Sequence, residues 1–262
     1  MRKLITTILS LLLGILTAPA MAAENGIGVV VLHGKWDSPN GHNIKLIRNL
    51  KSAGFLVEAP EMTWSGSRGY DTGVDGMAKE ITAAADKLRE QGAKKIFLVG
   101  HSLGAAGAVR YATQVKVDGL VALAPGHNPE GAVFKKNTAS SIAKAKEMVA
   151  KGEADEKGSF LDLNTGSRSK NIRMKASVYL EFMDSDGPMN FRQNAAAVQP
   201  GIPVLWVVGA SEAEGSRRMG QFAFDSLPKN PPPKFVEVPG EHLDIPDNTY
   251  AMVIDWIKEV AQ

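Results

Sequence analysis

The chain has 262 residues, of which 44% are hydrophobic and 22% are charged. This composition excludes a disordered tail, a collagen-like repeat and a coiled-coil rod, and the length fits one large domain or at most two small ones. The formal net charge is +2, an excess that Arg2 and Lys3 alone supply. The remaining residues are balanced in charge, which argues against a nucleic-acid-binding protein, since such proteins carry a basic face.

The N-terminal segment has the order of a secretory signal peptide. Arg2 and Lys3 precede an apolar run, residues 4–16, which small residues follow. We expect cleavage after Ala22 or one residue later, so that residues 1–22 are removed and the mature protein is periplasmic or secreted. The run is shorter than a membrane-spanning helix, so we expect no stable membrane anchor, an uncleaved anchor being the alternative. The chain has no cysteine, so its stability must come from its core and not from disulfides.

From residue 27 onward, apolar runs typical of strands buried on both faces alternate with helical patterns. The predicted strands cover residues 27–32, 55–59, 95–99, 119–124, 202–208 and 234–238. The predicted helices lie at about 44–50, 77–88, 103–113, 139–151, 190–198, 216–225 and 252–260. This βαβα order predicts an α/β fold with a mostly parallel central sheet and helices on both faces.

The alternation is interrupted between about residues 126 and 200. An insertion of this length is too long for an ordinary connection. We therefore expect a lid or cap subdomain, inserted in one domain that spans residues 23–262. Within it, the stretch from Arg168 to Lys175 carries four basic residues and no acidic one. Such a stretch is either a solvated face or, above a site, a means of attracting an anionic substrate.

Ser102 lies in the pattern Gly-x-Ser-x-Gly, between Gly100 and Gly104. The pattern directly follows a predicted buried strand and opens a helix rich in small residues. A sharp turn of this kind forces its central residue into strained backbone angles, and the glycines allow the flanking backbones to approach each other. The hydroxyl is then exposed at the edge of the sheet, beside the free amides of a helix N-terminus. The alternative is a glycine-rich turn with an incidental serine.

With this motif the chain resembles the α/β-hydrolase family, and the resemblance covers essentially everything after the N-terminal segment. In that family a His-Gly pair follows an earlier strand, and the next residue provides an amide of the oxyanion hole. Here His33 and Gly34 stand at that place, followed by Lys35. The resemblance implies that the backbone amides of Lys35 and Leu103 together stabilise an oxyanion. We interpret the His33 side chain as a structural brace of this loop.

A serine hydroxyl needs a neighbouring base to become a nucleophile. His242 follows the final predicted strand, where the family carries its base. The family usually has an Asp three residues after the glycine that ends the preceding strand. Counting from Gly209 gives Glu212, with Glu214 as the alternative acid.

The resemblance implies a serine hydrolase that cleaves small-molecule carboxylic esters or other acyl substrates through an acyl-enzyme, with no cofactor and no metal. Thioesterase and peptidase activity on the same residues, or a non-catalytic binding protein that retains the fold, are the alternatives. We expect Trp36, Met62, Trp64 and His127 to line the substrate pocket. A cluster at the edge of the core is the other interpretation of Met62 and Trp64. The sequence leaves the oligomeric state open.

Overall fold

The computed structural model describes residues 26–164 and 168–262. The predicted signal peptide, residues 1–22, lies outside the described residues. The described elements are, in chain order, β1 (Ile27–Leu32), α1 (Ile44–Ser52), β2 (Leu56–Glu58), α2 (Val74–Glu90), β3 (Lys95–His101), α3 (Leu103–Ala112), β4 (Gly119–Leu123), α4 (Ala132–Ala150), β5 (Lys157–Leu163), β6 (Ser169–Lys175), α5 (Ala176–Met183), α6 (Phe191–Ala196), β7 (Val204–Gly209), α7 (Glu214–Ser226), β8 (Lys234–Val238) and α8 (Ile245–Val260).

Six strands form one sheet in the order β2-β1-β3-β4-β7-β8, and every neighbouring pair is parallel. This confirms the predicted parallel central sheet. Parallel neighbours place all their carboxyl ends at the same edge of the sheet. At that edge Leu32 of β1 is in register with Gly100 of β3, and Gly209 of β7 with Val238 of β8. The loops that follow these strands therefore meet above one edge.

The two faces of the sheet are covered by different helices. On β1, Val29 and Val31 pack in a cluster with residues of α1 and α8, whereas Val30 and Leu32 pack with residues of α2 and α3. Because both faces are covered, the inner strands β1, β4 and β7 are apolar and buried along their whole length, whereas the edge strands β2 and β8 are only partly buried. Each fully buried aliphatic side chain stabilises the fold by about 1.5–3 kcal/mol. The predicted helices on both faces are confirmed.

The segment between β4 and β7 contains α4, an antiparallel hairpin of β5 and β6, and the helices α5 and α6. The sequence predicts neither the hairpin nor α5, and the observed α4 begins at Ala132, earlier than the predicted residue 139. In β5 the inward positions are Gly158, Phe160 and Asp162. A glycine and a carboxylate at two of three inward positions conceal the apolar alternation by which a strand is recognised.

Candidate active site

Ser102 occupies a strained turn between β3 and α3. Its backbone has φ 56° and ψ −121°, a left-handed region that residues other than glycine rarely adopt. The turn brings neighbouring backbones into contact: a Cβ atom on Gly104 would lie 2.7 Å from the His33 carbonyl oxygen, and one on Gly100 would lie 2.5 Å from the Ala105 nitrogen. Only glycine fits at these two positions. The predicted reason for the pattern, close backbone approach around a strained serine, is what the structure shows.

A continuous chain of hydrogen bonds starts at the Ser102 hydroxyl. Ser102 Oγ lies 2.8 Å from His242 Nε2, and His242 Nδ1 lies 3.0 Å from Glu212 Oε2. The other carboxylate oxygen, Oε1, accepts from the Gly209 amide at 2.9 Å. The three side chains are buried and come from the loops after β3, β7 and β8. With Nδ1–H donating to the carboxylate, Nε2 is left as the acceptor for the serine proton.

Of the two acids that the sequence leaves open, Glu212 is the one that reaches His242. Glu214 begins α7, its side chain is 75% exposed, and it pairs with Arg218 at 2.8 Å on the same helix. Glu212 is held by the Gly209 amide at the end of β7. The three-residue spacing from Gly209 thus turns the carboxylate back toward the end of the strand.

The loop after β1 carries the predicted oxyanion amide of Lys35. His33 braces this loop: its Nδ1–H donates to the Gly34 carbonyl at 2.8 Å, and its Nε2 accepts from the Met62 amide at 3.0 Å. Burial lowers the pKa of His33, which favours this neutral, bridging form. Within the described part of the chain, no group accepts a hydrogen bond from the amides of Lys35 or Leu103. Both amides are therefore available to a ligand.

His101 packs against the His242 ring and donates a hydrogen bond to the His242 backbone. Its Nε2–H donates to the His242 carbonyl oxygen at 2.9 Å, and the two ring centroids are 5.2 Å apart. Burial, with a smaller effect of the neighbouring His242, lowers the pKa of His101 to about 3. His101 therefore remains neutral at ordinary pH, which avoids a second positive charge when His242 takes up a proton.

A cavity of about 230 Å³ opens beside Ser102 and His242. Trp36 and Leu243 supply apolar surface to its wall. Asn164 and Arg168, from the insertion, supply polar surface. The wall therefore combines a small apolar area with groups that can donate hydrogen bonds.

Comparison with protein-family models matches residues 29–247 to the Alpha/beta hydrolase family. The chain belongs to the α/β-hydrolase family. Comparison with curated proteins found no match.

Solved structures with the same architecture have low sequence identity to this α/β-hydrolase. A monoacylglycerol lipase from Paleococcus ferrophilus is 24% identical, with a TM-score of 0.63 over 89% of this chain and 94% of that one. A thermostable carboxyl esterase from Bacillus coagulans, in complex with glycerol, is 18% identical, with a TM-score of 0.64 over 90% of each chain. Est1E from Butyrivibrio proteoclasticus, with bound ferulic acid, is 16% identical, with a TM-score of 0.62 over 88% of each chain. At these identities the likeness concerns the fold.

Two residues predicted to line the substrate pocket of this α/β-hydrolase, Met62 and Trp64, lie elsewhere. Met62 and Trp64 are fully buried in the main hydrophobic core, where the Trp64 indole N–H donates to the His33 carbonyl at 2.9 Å. His127 donates from Nε2 to the Phe182 carbonyl at 2.6 Å. Because Met62 and Trp64 have no exposed surface, neither can line the cavity, and the prediction for these two residues is wrong. The pocket role of His127 stays a prediction. The loop carrying Met62 and Trp64 folds inward and contacts His33, whereas Trp36 lies in the cavity wall.

The basic stretch from Arg168 to Lys175 lies partly beside the cavity and partly on the exposed surface away from it. Arg168 reaches the cavity wall, and Lys170 Nζ lies 4.3 Å from the centroid of the Trp36 ring. Lys175, at the far end of β6, pairs with the exposed Asp155 at 2.9 Å.

Within residues 26–164 and 168–262, no group of three or more His, Asp or Glu side chains could hold a metal ion. No helix in these ranges has the length and apolar character that crossing a bilayer requires.

Proposed function

We propose that this chain is a serine hydrolase that cleaves small carboxylic esters through an acyl-enzyme. Ser102 Oγ attacks the ester carbonyl while His242 Nε2 takes its proton, and the resulting tetrahedral intermediate expels the alcohol with that proton. A water molecule, which gives a proton to His242 Nε2, then attacks the acyl-enzyme. The second tetrahedral intermediate breaks its bond to Ser102 Oγ, which takes the proton back from His242 as the carboxylic acid leaves. The observation that carries the proposal is the unbroken hydrogen-bond chain from Ser102 through both nitrogens of His242 to Glu212.

Glu212 has two tasks in this mechanism. By accepting the proton of Nδ1 it fixes the tautomer in which Nε2 is free to act as a base. It also stabilises the imidazolium that forms when His242 is protonated. Because the pair is buried, this attraction is screened less than it would be in water.

The amides of Lys35 and Leu103 would stabilise the negative charge that develops on the carbonyl oxygen. Losing one donor of this kind typically raises the barrier by about 3 kcal/mol. The Leu103 amide also stands at the first position of α3, where the partial positive charge of the helix terminus adds to the effect.

Esters are the favoured substrate class for two reasons. An alcohol leaves from a tetrahedral intermediate more readily than an amine. The lipase and the esterases with the same architecture are named for ester substrates. The cavity of about 230 Å³ is below the range of about 300–1,000 Å³ that is usual for drug-sized ligands, which favours a small acyl group.

The proposal extends to the insertion and to the N-terminal segment. We infer that the insertion caps the site, since Asn164 and Arg168 contribute to the cavity wall. We infer also that residues 1–22 direct export, so that hydrolysis takes place in the periplasm or outside the cell. N-terminal sequencing of the protein recovered from the periplasmic or extracellular fraction should begin at Ala23 or Glu24; a cytoplasmic protein that begins at Met1 would contradict export.

Replacing the nucleophile tests the proposed function directly. Ser102→Ala should lower the kcat for p-nitrophenyl acetate by at least about 10⁴-fold, because it removes the hydroxyl that forms the acyl-enzyme. Ser226→Ala, which removes an exposed hydroxyl near the end of α7, is the matched control and should keep wild-type activity. Undiminished turnover by a folded Ser102→Ala protein would overturn the proposal.

A further inference from the structure

Asp162 is a buried carboxylate that the proposed mechanism does not use. It lies on β5 of the inserted hairpin with 0% exposure. Its oxygens accept three hydrogen bonds from outside the insertion: Lys35 Nζ at 2.5 Å, Trp36 Nε1 at 2.8 Å and Tyr70 OH at 3.1 Å. Two of these donors belong to the loop that carries the predicted oxyanion amide.

The interaction with Lys35 is a buried ion pair, and stability alone does not account for it. Both side chains are almost completely buried. Removing two charges from water costs several kcal/mol per ion, so replacing such a pair by apolar residues is often neutral or stabilising. What a buried pair does provide is a defined geometry. Lys35 Nζ also donates to the Leu163 carbonyl at 2.7 Å, so the ammonium is held at two points of β5.

The loop that these bonds hold is strained. Trp36 has φ 59°, in the left-handed region that an aromatic residue rarely adopts. Its backbone is held by a hydrogen bond from its amide to the Trp64 carbonyl at 3.0 Å, and its side chain by Asp162. Asn164 of the hairpin also donates to the Lys35 carbonyl at 3.4 Å. The insertion thus contacts the Lys35 side chain, the Lys35 carbonyl and the Trp36 side chain, all next to the Lys35 amide, and so restrains the direction in which that amide points.

We propose that Asp162 is a positioning residue that aims the backbone amide of Lys35 into the oxyanion hole. The inserted hairpin then helps to position a group of the active site, in addition to forming part of the cavity wall. This inference rests on the proposed function, since it assigns to Asp162 the support of a group that acts in the tetrahedral intermediate. An amide that points correctly matters for the transition state far more than for the bound ester, so a lost tether should lower kcat and leave KM nearly unchanged.

Three variants test the positioning role. Asp162→Asn keeps the volume and one acceptor but removes the charge that holds Lys35. The double variant Lys35→Met/Asp162→Asn removes both charges, which should restore much of the stability, but it also lacks the tether. Asp155→Asn, in the loop before β5, neutralises an exposed carboxylate paired with Lys175 and is the matched control.

Steady-state kinetics on p-nitrophenyl acetate, with thermal unfolding measured in parallel, should separate positioning from stability. Complete loss of one oxyanion donor costs about 10²–10³ in kcat, so a displaced donor should cost about 10–100-fold in both Asp162 variants. Asp155→Asn should retain the wild-type kcat. Inhibition by a trifluoromethyl ketone, whose adduct places an oxyanion in the hole, should weaken by the same factor as kcat/KM.

Each outcome bears on a different claim. An active wild-type protein whose double variant is folded and has the wild-type kcat would overturn the role of Asp162 and leave the serine hydrolase intact. A wild-type protein inactive on esters would overturn both. Should Asp162→Asn fail to fold, the double variant decides: restored stability with a 10–100-fold lower kcat supports positioning, and restored stability with full activity contradicts it.

Discussion

Glu212 is the residue on which the orientation of His242 depends. Both of its carboxylate oxygens accept hydrogen bonds from N–H donors, one from His242 and one from Gly209. An amide at this position must turn its NH₂ toward one of the two donors, so Glu212→Gln should lower kcat by about 10³–10⁴-fold with the fold retained. Glu214→Gln, at the exposed acid two residues on, is the control and should leave kcat unchanged. The reverse result would assign the acid to Glu214.

The sequence predicts some of the residues of the candidate site and not others. The strand ends and the family spacing predict the candidate site residues Ser102, His242 and Glu212, because each lies in the loop that follows a recognisable strand. The position of Met62 and Trp64, in a loop after a strand end, predicts that they line the pocket, yet tertiary packing buries both. Asp162 had no sequence signal, since its partner Lys35 is 127 residues away in the chain.

Among the elements, the turn between β3 and α3 depends most strictly on residue type, because it requires glycine where backbones approach each other. Gly104 is the second residue of α3, and a Cβ there would meet the backbone of the β1 loop. Gly104→Ala should therefore lower the free energy of unfolding by about 3 kcal/mol, as measured by urea denaturation. Gly215 is the matched control: it is the second residue of α7, and a Cβ there would meet no atom within 4 Å. Gly215→Ala should leave stability unchanged or raise it by up to about 1 kcal/mol. Equal effects would contradict the close approach.

The elements of the central sheet were more predictable than those of the insertion, for a physical reason. A strand buried on both faces must be apolar at every position, and this leaves a plain signal in β1, β3, β4 and β7. In the insertion, α4 buries only Phe134, Thr138 and Ala145 of its 19 residues, so its apolar period is faint and the sequence predicts too late a start for the helix. The sequence does not predict the hairpin, because Gly158 and Asp162 occupy two of the three inward positions of β5.

For the molecule as a whole, buried neutral histidines couple folding to pH. Burial lowers the pKa values of His33, His101 and His127 below 6.5 in the folded state. As the pH falls below 6.5, the unfolded chain binds protons that the folded protein does not, so the free energy of unfolding decreases. One such group contributes a slope of about 1.4 kcal/mol per pH unit, and for His101 the window extends down to its folded pKa of about 3.

His101→Gln tests this coupling. Glutamine can still donate to the His242 carbonyl but takes up no proton, so the loss of stability between pH 6 and pH 4 should be smaller than in the wild-type protein by about 1.4 kcal/mol per pH unit. Urea denaturation at a series of pH values measures the slope, and His42→Gln, which removes an exposed histidine, is the control. An unchanged slope in His101→Gln would show that His101 takes up a proton in the folded protein as readily as in the unfolded chain.

The most direct test of the whole account is the site of covalent modification by a fluorophosphonate, which reacts with a serine only when a neighbouring base activates it. Peptide mapping by mass spectrometry should find the adduct on Ser102 in the wild-type protein and in Glu214→Gln. The adduct should be absent from Ser102→Ala and strongly reduced in His242→Ala. A folded wild-type protein that remains unmodified at Ser102, or that reacts equally well without His242, would contradict the proposed nucleophile and base.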